Sequence, residues 1–98
     1  MEQYIADQSL RDQKKIVARI MAMAERGPHR NREKYGDLGD GIYTLKPDSQ
    51  HRIPFFYGER GVIVLTHGFF KVQDEAPPAE VARAKQLNEL YEQFVQSQ

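Results

Sequence analysis

The amino-acid sequence predicts an α+β fold, a small twisted antiparallel sheet of three or more strands packed by an N-terminal helix and a C-terminal helix. Stretches near both ends carry apolar residues every three or four positions, which is the spacing of amphipathic helices. Three runs rich in β-branched and aromatic residues lie between them, joined by short, turn-rich links. Short links indicate antiparallel neighbours, because a parallel return needs about a dozen residues or more. At 98 residues the chain is expected to form a single domain.

The first helix is marked at both of its ends. Ser9 is the predicted N-cap, with Asp12 three residues later as a weak capping box. Gly27 suits the positive φ that often follows a last turn, and Pro28 prevents continuation. The predicted buried stripe consists of Ile16, Val17, Ile20, Met21 and Ala24.

Residues 29–41 are predicted to form turns, because "YGDLGDG" places three glycines among aspartates; Leu38 would tuck this loop onto the core. Strands are predicted at 41–46, 52–57 and 61–70. The third run is apolar on both faces, which is typical of a central strand or one covered on both sides. Pro54 lacks a backbone donor, so its strand is expected at a sheet edge or at a bulge.

The loop between the first two strands suggests a register that pairs Lys46 with Arg52. Like charges opposite each other are mildly destabilising. A phosphate bound between them would make the arrangement favourable. The alternative is that both side chains splay into water. The same register gives one apolar face made of Tyr43, Leu45, Ile53 and Phe55.

The last helix is predicted to begin at Pro77 or Pro78, with Glu80 near the positive end of its dipole. Both helices are expected to pack on the apolar face of the sheet. The residues expected there from the third strand run and the last helix are Ile63, Leu65, Phe69, Val81, Ala84, Leu87, Tyr91 and Phe94.

Composition excludes several classes of protein. Without cysteine, the chain has no disulfide, thiolate metal site or cysteine nucleophile, which fits a reducing cytoplasm. No apolar run approaches the roughly 20 residues of a membrane span, and the first residues lack the apolar core of a secretory signal. The three histidines lack the spacing of a zinc motif, and neither a phosphate-binding glycine loop nor a serine nucleophile elbow is present.

Fourteen basic and fourteen acidic residues cancel, so any site for an anion must be local. The stretch "HRNREK" is locally basic, and its Arg30, Arg32 and Lys34 are candidates for RNA contact together with His67. The alternative for this stretch is a solvated loop.

One long stretch, "GIYTLKPDSQHRIPFFYGERGVIVLTHGFFKVQDEAPPAEVARA", resembles the middle and end of RelE/HigB-type toxins, in particular the phage-derived HigB-like branch. The matching parts are "IYTLK", "HRIPFFY", "VIVLTHGFFK" and "AEVARA", after a hinge-like segment from Leu38 to Gly41. "KKIVARIMAMAERG" resembles the helix that precedes this hinge. The resemblance covers about residues 14–91 and implies that residues 1–98 form one RelE-like toxin domain.

The resemblance implies a ribosome-dependent endoribonuclease that cuts mRNA, an mRNA interferase held silent by a small helix-turn-helix antitoxin. Lys46, Arg52 and Lys71 match the family's basic residues by motif position. Tyr91 or His67 would serve proton transfer or base stacking. Attack of a 2′-hydroxyl on its phosphate needs cations, a base and an acid, so the enzyme is expected to work without metal or cofactor.

Departures from the family pattern keep a second interpretation open, a non-catalytic RelE-fold module that binds a partner without cutting RNA. Lys46 replaces the family's arginine, so a compact ammonium charge stands where a planar guanidinium could form two parallel hydrogen bonds to a phosphate. Acidic "QDEA" follows Lys71 closely. The family also opens with a β-strand, for which residues 1–9 are short and polar. Either the chain start is internal or the sheet lacks a strand, and the exposed edge would then favour self-association.

Overall fold

The computed structural model describes residues 2–27, 34–71 and 77–97. Within these ranges the predicted α+β architecture is confirmed: helices at both ends enclose an antiparallel sheet. None of the helices in the described ranges is long and apolar enough to cross a membrane. The elements in chain order are α1 (Glu2–Ala6), α2 (Leu10–Arg26), β1 (Tyr35–Gly39), β2 (Ile42–Leu45), β3 (His51–Tyr57), a 3-10 turn (Glu59–Gly61), β4 (Ile63–Leu65), β5 (Phe69–Phe70) and α3 (Pro78–Gln96).

The third apolar run does not form one central strand, so that prediction was wrong. The strand order is β1-β2-β3-β4, which makes β3 central and puts β4 at an edge. The run is broken into two pieces: β4 pairs with the end of β3, and β5 pairs with its beginning. Both pieces lie along the same side of β3, with residues 66–68 bridging them outside any strand.

Pro54 lies in this central strand, so the predicted edge position was also wrong. Its carbonyl accepts hydrogen bonds from the backbone N–H and the hydroxyl of Thr66, both at 2.9 Å. The N and C=O of one strand residue point to the same side, so the missing N–H faces the break between β4 and β5. A central strand tolerates the proline because no ladder bond is required at that point.

The glycine-rich segment is a strand and a tight turn, where the sequence analysis expected turns alone. β1 pairs with β2, with a register shift between Asp37 and Gly39. The two-residue connection consists of Asp40 and Gly41, whose φ angles are +54° and +80°. Positive φ at both positions is the mark of a type I′ hairpin, for which Asp-Gly is a favoured pair.

Helix α2 has the predicted ends. The Asp12 backbone N–H donates to the Ser9 hydroxyl at 3.2 Å, and Gly27 follows the last turn at φ +75°. The buried stripe is rotated from the predicted one: Ile16 and Met23 are buried, whereas Met21 is 57% exposed. Val17 is exposed as well.

The two long helices pack on opposite faces of the sheet, which corrects the expectation that they share one face. The α2 side contains Ile16, Met23, Tyr35, Leu45, Ile53 and Phe55, with α1 contributing half-buried Tyr4 and Ile5. The α3 side contains Ile42, Phe56 and Ala84, with half-buried Val64 and Tyr91. Phe94 is 60% exposed, and Ile63 and Leu65 are half-buried, so none of these three belongs to the fully buried core.

Candidate anion-binding site

A small pocket opens where β1, the β2–β3 hairpin and β5 meet. Its volume is about 160 Å³. That is well below the roughly 300–1,000 Å³ of sites that enclose drug-sized ligands, so it suits a group of about the size of a phosphate. The pocket is lined by Gly36, Asp37, Leu38, Thr44, Lys46, Arg52, Phe69 and Lys71.

The register of the hairpin brings Lys46 and Arg52 together. Tyr43 pairs with Phe55 and Leu45 pairs with Ile53, as predicted. One step further along the same ladder, Lys46 and Arg52 come to the hairpin end on the face opposite the α2 core.

The break after β4 brings Lys71 to the same pocket. Phe69 of β5 pairs with Arg52, and two residues later the Lys71 backbone N–H donates to the Gln50 carbonyl at 2.6 Å. Because alternate residues of an extended chain share a face, Phe69 and Lys71 both line the pocket. The histidine-glycine break in "LTHGFFK" therefore ends β4 and lets a second short strand deliver a lysine.

The three cations affect one another electrostatically. Partial burial lowers the pKa of Lys46, and the positive charges of Arg52 and Lys71 lower it further. Each of these causes disfavours the charged ammonium. An anion placed among the three groups would offset both the desolvation and the repulsion.

Arg52 is held in place by its own strand and loop. Its Nη1 donates to the carbonyl of Asp48 at 2.8 Å and to the carbonyl of His51 at 2.7 Å. Burial lowers the pKa of Arg52, while the Asp48 carboxylate raises it, and the guanidinium remains charged at neutral pH. A guanidinium oriented in this way is preorganised for a bound oxyanion.

Gly36 is a contributor that sequence reasoning missed. A Cβ built on Gly36 would lie 3.2 Å from Cε and 3.5 Å from Nζ of Lys46. The lysine side chain therefore lies across β1 at Gly36, where the strand carries no side chain. Only the pairing of β1 with β2 reveals this, because Gly36 stands opposite Thr44.

Residues 3–89 match the family described as Phage derived protein Gp49-like (DUF891). The chain belongs to this family. The Gp49-like family is part of the RelE/HigB-like toxin superfamily, so the resemblance seen in the sequence is confirmed at that level. No curated protein matches the chain.

In this Gp49-like chain, Tyr91 lies outside the cationic pocket. Its ring meets Phe56 edge-on, with centroids 5.5 Å apart. Its hydroxyl accepts a hydrogen bond of 3.2 Å from the Glu59 backbone N–H. A Cβ on Gly58 would come within 2.8 Å of the Tyr91 Cζ, so the phenol is packed tightly against this turn. These contacts give Tyr91 a structural role, and its catalytic role stays a prediction.

Neither His67 nor Lys34, the two predicted RNA contacts within the described residues, lines the cationic pocket. His67 is buried: its Nε2 lies 3.2 Å from a Glu80 carboxylate oxygen, and its Nδ1 lies 3.0 Å from the Thr66 hydroxyl. Lys34 is next to the pocket in the ladder, where its carbonyl accepts from the Lys46 N–H at 2.7 Å. Arg30 and Arg32 lie outside the described residues.

Proposed function

We propose that this Gp49-like chain is the toxin of a type II toxin–antitoxin pair, of the HigB-like branch, and that it cuts mRNA on the ribosome. The observation that carries the proposal is the convergence of Lys46, Arg52 and Lys71 on one phosphate-sized pocket. These are the three positions that the family motifs assign to basic residues. The family membership supports the same class of function.

The proposed reaction is an attack by a ribose 2′-oxygen on the adjacent phosphorus. The 2′-hydroxyl loses its proton to a base, the P–O5′ bond breaks, and the leaving 5′-oxygen takes up a proton. Lys46, Arg52 and Lys71 would hold the phosphate and stabilise the extra negative charge of the phosphorane-like transition state.

The proposal includes partners: mRNA in the ribosome and a small helix-turn-helix antitoxin that covers the toxin. Self-association through a sheet edge is a further part of it, supported by the edge positions of β1 and β4 in the described sheet. Analytical ultracentrifugation at micromolar concentration tests this part, and a clean monomer would rule it out.

A second candidate function is a RelE-fold binding module that does not cleave RNA. It is favoured by the zero net charge and by the acidic "QDEA" close after Lys71, because both weaken attraction to a polyanion.

Expression without the antitoxin separates the two functions. The toxin should arrest growth and fragment translated mRNA. Arg52→Ala and Lys71→Ala should each lower cleavage about 10²–10³-fold, by analogy with the deletion of one oxyanion-site donor. Lys14→Ala removes an exposed cation of α2, on the other side of the sheet, and serves as the matched control.

Circular dichroism of the purified variants must show intact folding for the comparison to count. Arrest that is lost in both pocket variants and kept in Lys14→Ala supports the toxin. If a folded wild-type chain neither arrests growth nor cleaves mRNA on translating ribosomes, the binding module is the better account.

A further inference from the structure

Three side chains of metal-ligating type meet on the α2 side of the sheet, away from the cationic pocket. Asp12 comes from the first turn of α2, Asp48 from the loop between β2 and β3, and His51 from the start of β3. One ligand atom from each lies within 4.8 Å of the other two. The His51 side chain is 1% exposed, whereas both carboxylates are partly exposed, so the cluster is accessible from solvent.

The distances from His51 to the two carboxylates are close to those between donors around one metal ion. His51 Nε2 lies 3.2 Å from Asp12 Oδ2 and 3.9 Å from Asp48 Oδ2. Around a tetrahedral zinc ion with bonds of about 2.0–2.2 Å, neighbouring donor atoms are about 3.3–3.6 Å apart. The two carboxylate oxygens lie within 4.8 Å of each other, so they must approach by up to about 1.5 Å for all three donors to surround one ion.

Surrounding groups orient the imidazole and one carboxylate. The Tyr4 hydroxyl lies 2.5 Å from His51 Nδ1, and Phe70 packs edge-on at a centroid distance of 4.8 Å. Asp48 Oδ1 accepts backbone N–H bonds from Gln50 at 2.8 Å and from His51 at 2.7 Å. Its other oxygen, Oδ2, is the one directed at the imidazole. Partners of this kind fix the ligands in known metal sites.

We propose that Asp12, Asp48 and His51 bind one divalent transition-metal ion, zinc being the probe that suits the set, and that the ion clamps α2 to the β2–β3 hairpin. Two carboxylates and one neutral imidazole give three protein ligands, with water completing the coordination. The two negative charges balance the dication. A nitrogen ligand favours zinc and similar transition metals over magnesium and calcium, which prefer oxygen donors.

Metal binding requires a change of tautomer that needs no proton release. The contacts of His51 fit a ring whose Nε2–H donates to Asp12 while Nδ1 accepts from the Tyr4 hydroxyl. When the ion takes the Nε2 lone pair, the ring proton resides on Nδ1 and donates to the Tyr4 oxygen. The total number of protons on the ring is unchanged.

The site lies on the opposite face of the sheet from the pocket proposed for RNA cleavage. His51 and Arg52 are adjacent in an extended strand and therefore point to opposite faces. The ion would bind on the α2 face, and a phosphate would bind on the other. Failure of zinc binding would therefore leave the toxin proposal untouched, and the reverse also holds.

The test uses the full chain with its affinity tag removed, treated with EDTA and then desalted. Zinc chloride should bind with one-to-one stoichiometry in calorimetry. At about ten times its Kd, zinc should raise Tm by about 5–10 °C. Magnesium at the same concentration should raise it far less.

Two isosteric variants make the test specific. Asp12→Asn keeps an oxygen that accepts from His51 but removes a charged ligand, so zinc affinity should fall at least about 10-fold. Glu80→Gln makes the same chemical change at a second histidine–carboxylate pair, His67 with Glu80, and should leave zinc affinity unchanged. Absence of one-to-one binding, or equal affinity in Asp12→Asn and wild type, would overturn the proposal.

Discussion

Replacing Gly68 by alanine should destabilise the fold, because the added methyl group would collide with the ring of Tyr4. The φ of Gly68 lies outside the left-handed region, so alanine meets no backbone strain there. A Cβ at this position would overlap the ring of Tyr4, its closest contacts being Cδ2, Cε2 and Cγ. The ring is held by the 2.5 Å hydrogen bond between its hydroxyl and His51. The added methyl must therefore push α1 away from the sheet.

The magnitude follows from three contributions. Overpacking costs about 1–3 kcal/mol. Loss of the Tyr4–His51 hydrogen bond costs about 0.5–1.5 kcal/mol more. The smaller entropy of the unfolded alanine chain stabilises by about 0.4–1 kcal/mol. The net loss for Gly68→Ala should be about 2 kcal/mol, or roughly 8–16 °C in Tm for a domain of this size.

Urea unfolding followed by circular dichroism measures this loss, because a chain of 98 residues is expected to unfold in two states. A double-mutant cycle with Tyr4→Ala identifies its cause. Without the ring, Gly68→Ala should cost nothing or stabilise slightly, which corresponds to a coupling energy of about 2–3 kcal/mol. An equal cost in both backgrounds, or no cost in the wild type, would refute the contact with Tyr4.

Three further predictions concern the core, a buried histidine and a tyrosine. Leu45→Ala, at a fully buried site, should cost about 2–5 kcal/mol, whereas Leu65→Ala, in half-buried edge strand β4, should cost about 1 kcal/mol in the same urea assay. Burial lowers the pKa of His67, so the unfolded chain binds more protons. The free energy of unfolding should then fall as the pH drops through about 6.5, and His67→Gln should reduce this slope in urea titrations. Tyr91→Phe should lower the free energy of unfolding by about 0.5–1.5 kcal/mol through the lost bond to Glu59. The proposed mRNA cleavage should persist in this variant, and its loss from a folded variant would give the phenol a catalytic role.

The β2–β3 hairpin was predictable because residues close together in the sequence determine its register. The alternation of apolar residues fixes which face is buried, and a slip by one residue would expose the whole set. The pairing of Leu45 with Ile53 therefore follows from the sequence, and so does the meeting of Lys46 with Arg52. Lys71 was placed by motif position alone. Its geometry depends on the break at residues 66–68, which the apolar run did not reveal.

Strand β1 was missed because its residues have low β propensity. Its sequence, "YGDLG", contains two glycines and an aspartate, which usually indicate turns. The decisive signal was the Asp40-Gly41 pair, a hairpin turn that requires strands on both sides. The segment is stable as a strand because β2 supplies the ladder, and because Tyr35 is buried opposite Leu45.

The His51 cluster was hidden because Asp12 lies 39 residues from His51 in the sequence, and because the three residues fit no spacing motif. Through Asp48, the cluster also depends on the fold of the β2–β3 hairpin. Its carboxylate faces His51, while its backbone carbonyl holds Arg52 on the opposite face. One loop residue thus positions both a ligand-type cluster and a cation of the phosphate-sized pocket. Because the carboxylate of Asp48 is fixed by backbone N–H groups of Gln50 and His51, its position depends on the loop conformation. Only the folded hairpin places these groups together.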